Sequence, residues 1–403
     1  MKKEVDIFTP ADRLENVQFS AIRQVLDKAA ALRAQGREVI ALSAGEPNFN
    51  TPEPIKNATI KAIQENFTHY GSNRGLLRLR EIMAQRIQEK DGVKYDPATE
   101  IIFTTGGAEA LNNVIMATVN PQDEVIVFSP AFVTYKNLIH LCGAECVELP
   151  LLPENDFQPD LDDLKKVITT HTKMLIMNNP NNPTGAVYSY ETLKGICELA
   201  VKNNFLVLSD EMYRSLVYEG EFTSVASFPG MKERAIIVNG FSKTYAMTGW
   251  RLGYIQADVK LTPAIMKVHQ YSSTCSPTFI QVGMAEAVKQ EETQAEVQAM
   301  VEEFARRREI LISCLDFIPQ IHYIRPKGAF YVMIDISKTG MNGEAFAKRL
   351  LEEKNVAVVP AVSMGKGKVY DDFIRVSFAA SEEAIREGIL RMGEMIRELC
   401  LEH

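Results

Sequence analysis

The stretch NGFSKTYAMTGWRLGY, residues 239–254, sets a lysine, Lys243, beside Ser242 and ahead of Arg251, among glycines and the only tryptophan of the chain, Trp250. Most lysines are solvated, so one placed among small and apolar residues with a second cation following calls for a reason. Its amine can form an imine with a carbonyl compound. Three other stretches hold groups that would serve such an amine. NNPNNPTG (178–185) offers the amide of Asn182, and SDEMY (209–213) the carboxylate of Asp210 and the phenol of Tyr213. Gly106 and Gly107 open a helical pattern, and glycines at a helix start let backbone N–H groups reach an anion.

The elements that must position these groups follow from periodicity. Residues 20–35 read as an amphipathic helix capped by Ser20, and REVIALSAGEP as a short strand ending at Gly45. A strongly periodic helix spans 75–92. From residue 100 short apolar runs alternate with helical patterns: strands at 100–105, 123–128, 173–180, 205–210 and 234–240, and helices at 107–119, 132–143 and 190–204. Such alternation predicts an α/β fold in which a mainly parallel sheet lies between helices. After about residue 290 the texture changes to a long charged helix, alternating strands at 328–336 and 372–378, and a closing helix, which predicts a smaller α+β domain.

In open α/β sheets ligands bind beyond the carboxyl ends of the strands. Asn182, Asp210, Tyr213, Ser242, Lys243, Arg251 and the paired glycines all follow strands. No G-x-G-x-x-G follows a strand, and SMGKGKVY lacks the third glycine and the hydroxyl of a nucleotide-binding loop. A lysine, an acid, a phenol, an amide and a Ser/Arg pair at one sheet edge suit pyridoxal 5′-phosphate. The lysine holds its aldehyde, the acid keeps its ring nitrogen protonated, and the other groups bind its ring oxygen and phosphate.

With SKTYAMTGWRLGY, NNPNNPTG and SDEMY the chain resembles the class I/II aminotransferases, fold-type I pyridoxal-phosphate enzymes, from ALSAGEPNFNTPE to FIRVSFA. The resemblance implies a seven-stranded, mainly parallel sheet. It implies that Lys243 carries the cofactor and then moves the substrate Cα proton, and that Asp210 pairs with the pyridinium nitrogen. It further implies that Tyr213 and Asn182 bond the ring oxygen, and that Ser242 and Arg251, with backbone N–H groups of Gly107 and Ala108, hold the phosphate. Phe132, in SPAFVTY, would stack on the ring. Arg375, in IRVSFA, would grip the substrate α-carboxylate with both arms of its fork, with Asn182 and the backbone of Gly45 beside it. Tyr70 would reach a phosphate across the interface of a homodimer with shared sites. The expected division is an N-terminal segment, 1–48, joining the small domain, a large cofactor-binding domain, 49–290, and a small domain, 291–400, with 401–403 a tag remnant.

The implied reaction moves the amino group of an L-amino acid to a 2-oxo acid in ping-pong order. The family's known grips on a second substrate carboxylate have no counterpart here. Ala108 stands where relatives carry a lysine, Ile22 stands at the place of a hydroxyl residue, and YSSTCSPTF holds no arginine. The expected preference is therefore broad, aromatic or neutral, with aspartate transamination as the alternative and Arg23 or Lys136 as cations that could serve it. A lyase cleaving a Cβ–S bond on the same scaffold is another alternative. A cofactor-dependent ligand sensor is a third, although only about twenty residues precede the first helix.

The 403 residues, with 46% hydrophobic and 24% charged side chains and a formal charge of −8, are of ordinary globular composition without the basic surplus of a nucleic-acid binder. No apolar run is long enough to span a membrane, and MKKEVDIFTPADRLEN lacks the apolar core of a signal peptide, so a cytoplasmic chain is expected. The six cysteines form no C-x-x-C pair, and no metal site is expected.

Overall fold

The computed structural model describes residues 8–365 and 367–401. The beginning of the expected N-terminal segment (1–7) and the end of the expected tag remnant (402–403) lie outside the described residues, while Leu401 closes the last helix, Glu382–Leu401.

The chain forms the expected α/β fold. Among the described residues thirteen strands run in chain order: β1 (Ile40–Ala41), β2 (Ile101–Thr104), β3 (Glu124–Ser129), β4 (Glu145–Pro150), β5 (Thr172–Asn178), β6 (Leu206–Asp210), β7 (Ala235–Gly240), β8 (Gly253–Gln256), β9 (His322–Tyr323), β10 (Tyr331–Asp335), β11 (Val356–Ala357), β12 (Val359–Pro360) and β13 (Phe373–Ser377). β2 to β8 make a seven-stranded sheet in the order β2-β8-β7-β6-β5-β3-β4. Its pairs are parallel except those of β8, which runs against both β2 and β7. That reversed strand was absent from the sequence expectation, because its four residues are hidden inside a stretch read for its lysine and arginine.

The apolar runs of this sheet are buried on both faces, as strands covered by helices must be. Alternation along each strand feeds two cores. In β3, Ile126 and Phe128 join one core and Val125 and Val127 the other; in β7, Ile237 joins the first, Ile236 and Val238 the second. Helix Gly107–Thr118 packs on the second core through Leu111 and Val114. Helix Ala21–Ala34 begins as expected, with Ser20 accepting the N–H of Arg23.

β12, β13, β10 and β9 form an antiparallel sheet with a core of its own, in which Phe304, Phe330, Val332, Ile374 and Ile389 meet. β1 pairs in parallel with β11, so the residues just before Gly45 are tied to the C-terminal part of the chain. Helices Glu53–Gln64, Thr262–Ser272, Thr278–Ala287 and Gly343–Lys354 were not read from the sequence.

The reversed strand makes one backbone approach that only glycine permits. A Cβ on Gly253 would lie 2.8 Å from both the carbonyl carbon of Gly106 and the nitrogen of Gly107. Gly253→Ala must therefore push β8 away from the start of helix Gly107–Thr118. Overpacking of this kind costs about 1–3 kcal/mol. The thermal midpoint of the cofactor-free protein should fall accordingly; an unchanged midpoint would show that the strand backs off freely.

Candidate active site

The site forms where the central strands end. Asp210 is the last residue of β6 and stands in register with Asn178, the last of β5. The Asn178 side chain ties the two ends together: its Nδ2 donates to the Asp210 carbonyl at 2.9 Å, and its Oδ1 accepts the N–H of Asn182 at 2.7 Å. β7 ends at Gly240, which brings Ser242 and Lys243 into the same space. Arg251 then turns the chain into β8 with φ of +58°. That left-handed conformation costs a side-chain-bearing residue about 1–2 kcal/mol. Its guanidinium lies so close over Gly106 that a Cβ there would sit 2.5 Å from Nη2. Gly106 itself needs φ of +82° and gives helix Gly107–Thr118 a start without a side-chain cap. The first N–H groups of that helix and the arginine thus face an anion seat.

A cavity of about 410 Å³ opens at this edge. Gly107, Ala108, Ser242 and Arg251 line it, as do Asp210, Tyr213, Asn182 and Phe132. Lys243, Gly45 and Arg375 complete the set that the sequence singled out. Tyr70 alone is elsewhere: it is 88% exposed and does not line the cavity of its own chain.

Charge is concentrated here. The Asp210 carboxylate is buried and accepts from the Tyr135 hydroxyl at 2.6 Å and the Met212 N–H at 3.1 Å. Burial pushes its pKa up, against the pull of those two bonds and of Lys243. Among the described residues Asp210 has no ion-pair partner within salt-bridge distance. Lys243 is half-buried, and its Nζ donates to the Gly45 carbonyl. Desolvation lowers its pKa to about 8, aided by Arg375 and Arg251 and opposed by Glu46 and Asp210. Arg375 reaches in from β13, 1% exposed. It donates to Asn182 Oδ1 at 3.1 Å and to the Ser43 carbonyl at 2.9 Å, while its Nε is buried without a partner.

Several residues of the cavity escaped the sequence reading. Tyr135 lies three residues beyond Phe132, and only its bond to Asp210 distinguishes it. Tyr331 had been read merely as part of a strand. Its hydroxyl is 3.0 Å from that of Tyr213, and the Arg375 guanidinium lies 4.5 Å above its ring. Glu46 accepts from the Thr248 hydroxyl at 2.8 Å. Ile22, Arg23 and Leu26 bring the first helix to the cavity, whereas Lys136 lines a different one and pairs with Glu148 at 2.7 Å. Among the described residues no cluster of three or more His, Cys, Asp or Glu could hold a metal ion, and no helix is long and apolar enough to cross a membrane.

The sequence model of aminotransferase class I and II matches residues 37–391. The chain is 39% identical to an aspartate aminotransferase of Pyrococcus abyssi over 389 residues, 96% of this chain and 98% of the relative. It is 38% identical to aromatic-amino-acid aminotransferase 2 of Thermococcus litoralis over equal shares of both chains. The solved structure of the aspartate aminotransferase from Thermus thermophilus with maleate superposes with a TM-score of 0.91 at 38% identity, covering 96% of this chain and 99% of that one.

The depressed basicity of Lys243 has a direct readout. Only the neutral amine attacks a carbonyl, so capture of an aromatic aldehyde by the cofactor-free protein should speed up about tenfold per pH unit below the amine's pKa. It should level off above about 8. Mass spectrometry after borohydride reduction locates the product. A rate still rising toward 10.5, the ordinary lysine value, would show that burial does not lower this amine.

Proposed function

The chain belongs to the class I and II aminotransferases and is a transaminase, and from that premise we propose that it uses pyridoxal 5′-phosphate and prefers a broad range of neutral and aromatic amino acids. One observation carries the cofactor reading: a buried carboxylate, Asp210, without an ion-pair partner faces the same cavity as a desolvated lysine and an uncapped helix start. The residues fit the group. Gly107, Ala108, Ser242 and Arg251 would hold the phosphate, and the ring nitrogen's proton would supply the positive partner that Asp210 lacks. Phe132 would cover the ring face.

When bound, the cofactor supplies an aldehyde to receive the amino group and a ring that accepts the electron pair left at Cα. The chain's own residues do the rest. Lys243 would hold the aldehyde and, made less basic by burial, would serve as the base for the substrate Cα proton. Asp210 would pair with the protonated ring nitrogen. Asn182 spends its Oδ1 on Arg375, which leaves its N–H groups free for the ring oxygen, and Tyr213, 3.0 Å from the Tyr331 hydroxyl, would donate there too. The free Nε–H of Arg375 would join a second N–H of its fork on the substrate α-carboxylate.

The preference for neutral side chains rests on the apolar Ile22, Leu26 and Ala108 at the cavity. A dicarboxylic reading has one observation in its favour. Arg23 lines the same cavity, and among the described residues its side chain makes no hydrogen bond or ion pair. The relatives' names include both aspartate and aromatic amino acids. We read residues 49–290 as the cofactor-binding domain and 1–48 with 291–400 as the smaller one, supported by the β1–β11 pairing and by a core drawn mostly from 291–400, which Tyr213 and Leu216 join from the larger part. We also propose a cytoplasmic homodimer. Tyr70 and Tyr271 are each 88% exposed, and Ile60, Ile63, Phe67 and Leu77 are exposed on the neighbouring helices and loop, so this face is suited to a second copy whose site Tyr70 completes.

The test is a set of half-reactions. Purified holoenzyme is mixed with single amino acids and no acceptor, and 2-oxo acid is counted per site. Transamination with phenylalanine and other neutral amino acids should release one equivalent and stop until 2-oxoglutarate is added; continuous pyruvate and ammonia release would mean a lyase. In Arg23→Ala the rate with aspartate should fall about ten- to a hundredfold, the worth of a charge-assisted bond, while that with phenylalanine stays within about twofold. Equal losses would remove Arg23 as a reader of the second carboxylate.

A further inference from the structure

His269, on helix Thr262–Ser272, is completely buried. Its Nδ1 is 2.7 Å from Glu109 Oε1, and its Nε2 is 2.8 Å from the carbonyl oxygen of Asn73. Glu109 Oε1 also accepts from Asn113 Nδ2 at 2.9 Å and the Ser273 hydroxyl at 2.8 Å, and Oε2 accepts the Thr105 N–H. The ring thus bridges a carboxylate on one side and a peptide carbonyl on the other, tying two separate segments of the chain together. Burial works to raise the Glu109 carboxyl, but the bonds from His269, Thr105 and Asn113 outweigh it and hold it at about 2.

The pair joins two pieces of the proposed site. Glu109 lies in the first turn of the helix whose leading N–H groups face the cavity, and through Thr105 it holds the loop before them. Asn73 belongs to the segment that carries Tyr70. That segment is also pinned by the Asn73 amide on the Thr274 carbonyl at 2.9 Å and by the Thr278 hydroxyl on the His69 carbonyl at 2.9 Å. The backbone around Tyr70 is therefore held while its side chain points outward. We propose that the His269–Glu109 pair is a positioning device that fixes the anion seat of its own subunit and, through Asn73, the Tyr70 arm that completes the neighbour's site. This rests on the shared-site dimer proposed above. It adds a route by which one subunit governs cofactor retention in the other.

The test uses holoenzyme hybrids of full-length chains in which one subunit carries Lys243→Ala, so that cofactor fixable by borohydride reports the other, intact site alone. Its loss with time after dilution is the readout. Adding His269→Gln to the Lys243→Ala subunit leaves the intact subunit's own residues unchanged, yet should make its site lose cofactor about tenfold faster. A lesion of merely structural effect would act in its own subunit and leave the neighbour's rate unchanged, which would overturn the proposal. Tyr70→Phe in place of His269→Gln checks the premise. If it has no effect either, the shared-site dimer fails and the inference with it; if it alone speeds loss, only the inference fails. Should His269→Gln not fold, Glu109→Gln, which keeps the size and removes the charge, gives the same comparison.

Discussion

A carboxylate buried at the end of β6 is the constraint around which this molecule is arranged. Taking such a charge out of water costs several kcal/mol unless other groups compensate. Asp210 receives one hydroxyl, from Tyr135, and one backbone N–H, from Met212. Neither is a cation. The β5–β6 register and the Asn178 bridge then hold the acid where β7 delivers Lys243. A fold that buries an acid here with no cation in contact among the described residues is suited to a ligand that brings a positive centre to it.

The remaining electrostatics sort ligand groups by position. Arg251 and the helix start belong to the seven-stranded sheet, while Arg375 comes from the antiparallel one. A molecule that meets both must tie the two sheets together. The cations Lys243, Arg251, Arg375 and Arg23 line the cavity together with the anions Asp210 and Glu46, and the nearness of Arg375 and Arg251 helps make the lysine a weaker base. One cationic surplus would thus serve two ends: it would attract the anionic groups of the proposed cofactor and substrate, and it tunes the amine between them. The cramped contact of β8 with Gly106 and Gly107 keeps this geometry tight, because the strand that follows Arg251 cannot move without moving the anion seat.

Much of this was legible in the sequence because the fold places chemistry at the carboxyl ends of strands, and each end is a short contiguous motif. Asp210 and Tyr213, Ser242 and Lys243, or Gly107 and Ala108 can be found without knowing the fold in detail. What escaped were partners chosen across the chain. Tyr135 meets Asp210 over a separation of 75 residues, Tyr213 meets Tyr331 over 118, and His269 meets Glu109 over 160. Glu109 sits in the first turn of its helix, where an acid suits the dipole whatever its partner, so its place says nothing of His269. No periodicity marks such pairs, since they depend on which helices pack together. β8 was missed for a different reason: its four residues lie within the stretch read for its lysine and arginine. Tyr70 was singled out by resemblance alone, and its exposure gives it no role within its own chain.

The central claim is that the Asp210 carboxylate matters for its charge and not merely for its shape. The direct measurement is the rate of the first half-reaction in Asp210→Asn, followed by rapid mixing of holoenzyme with phenylalanine. The amide keeps the size; its oxygen can still accept the Met212 N–H, while its NH2, in place of the other oxygen, can donate to the Tyr135 hydroxyl oxygen. If the charge is what the site requires, the rate falls by at least about a hundredfold, in keeping with the 3–5 kcal/mol lost when one member of a buried charge pair is removed, while the protein stays folded and cofactor remains fixable at Lys243. A rate within about threefold of the parent would contradict the account and assign Asp210 a purely structural place.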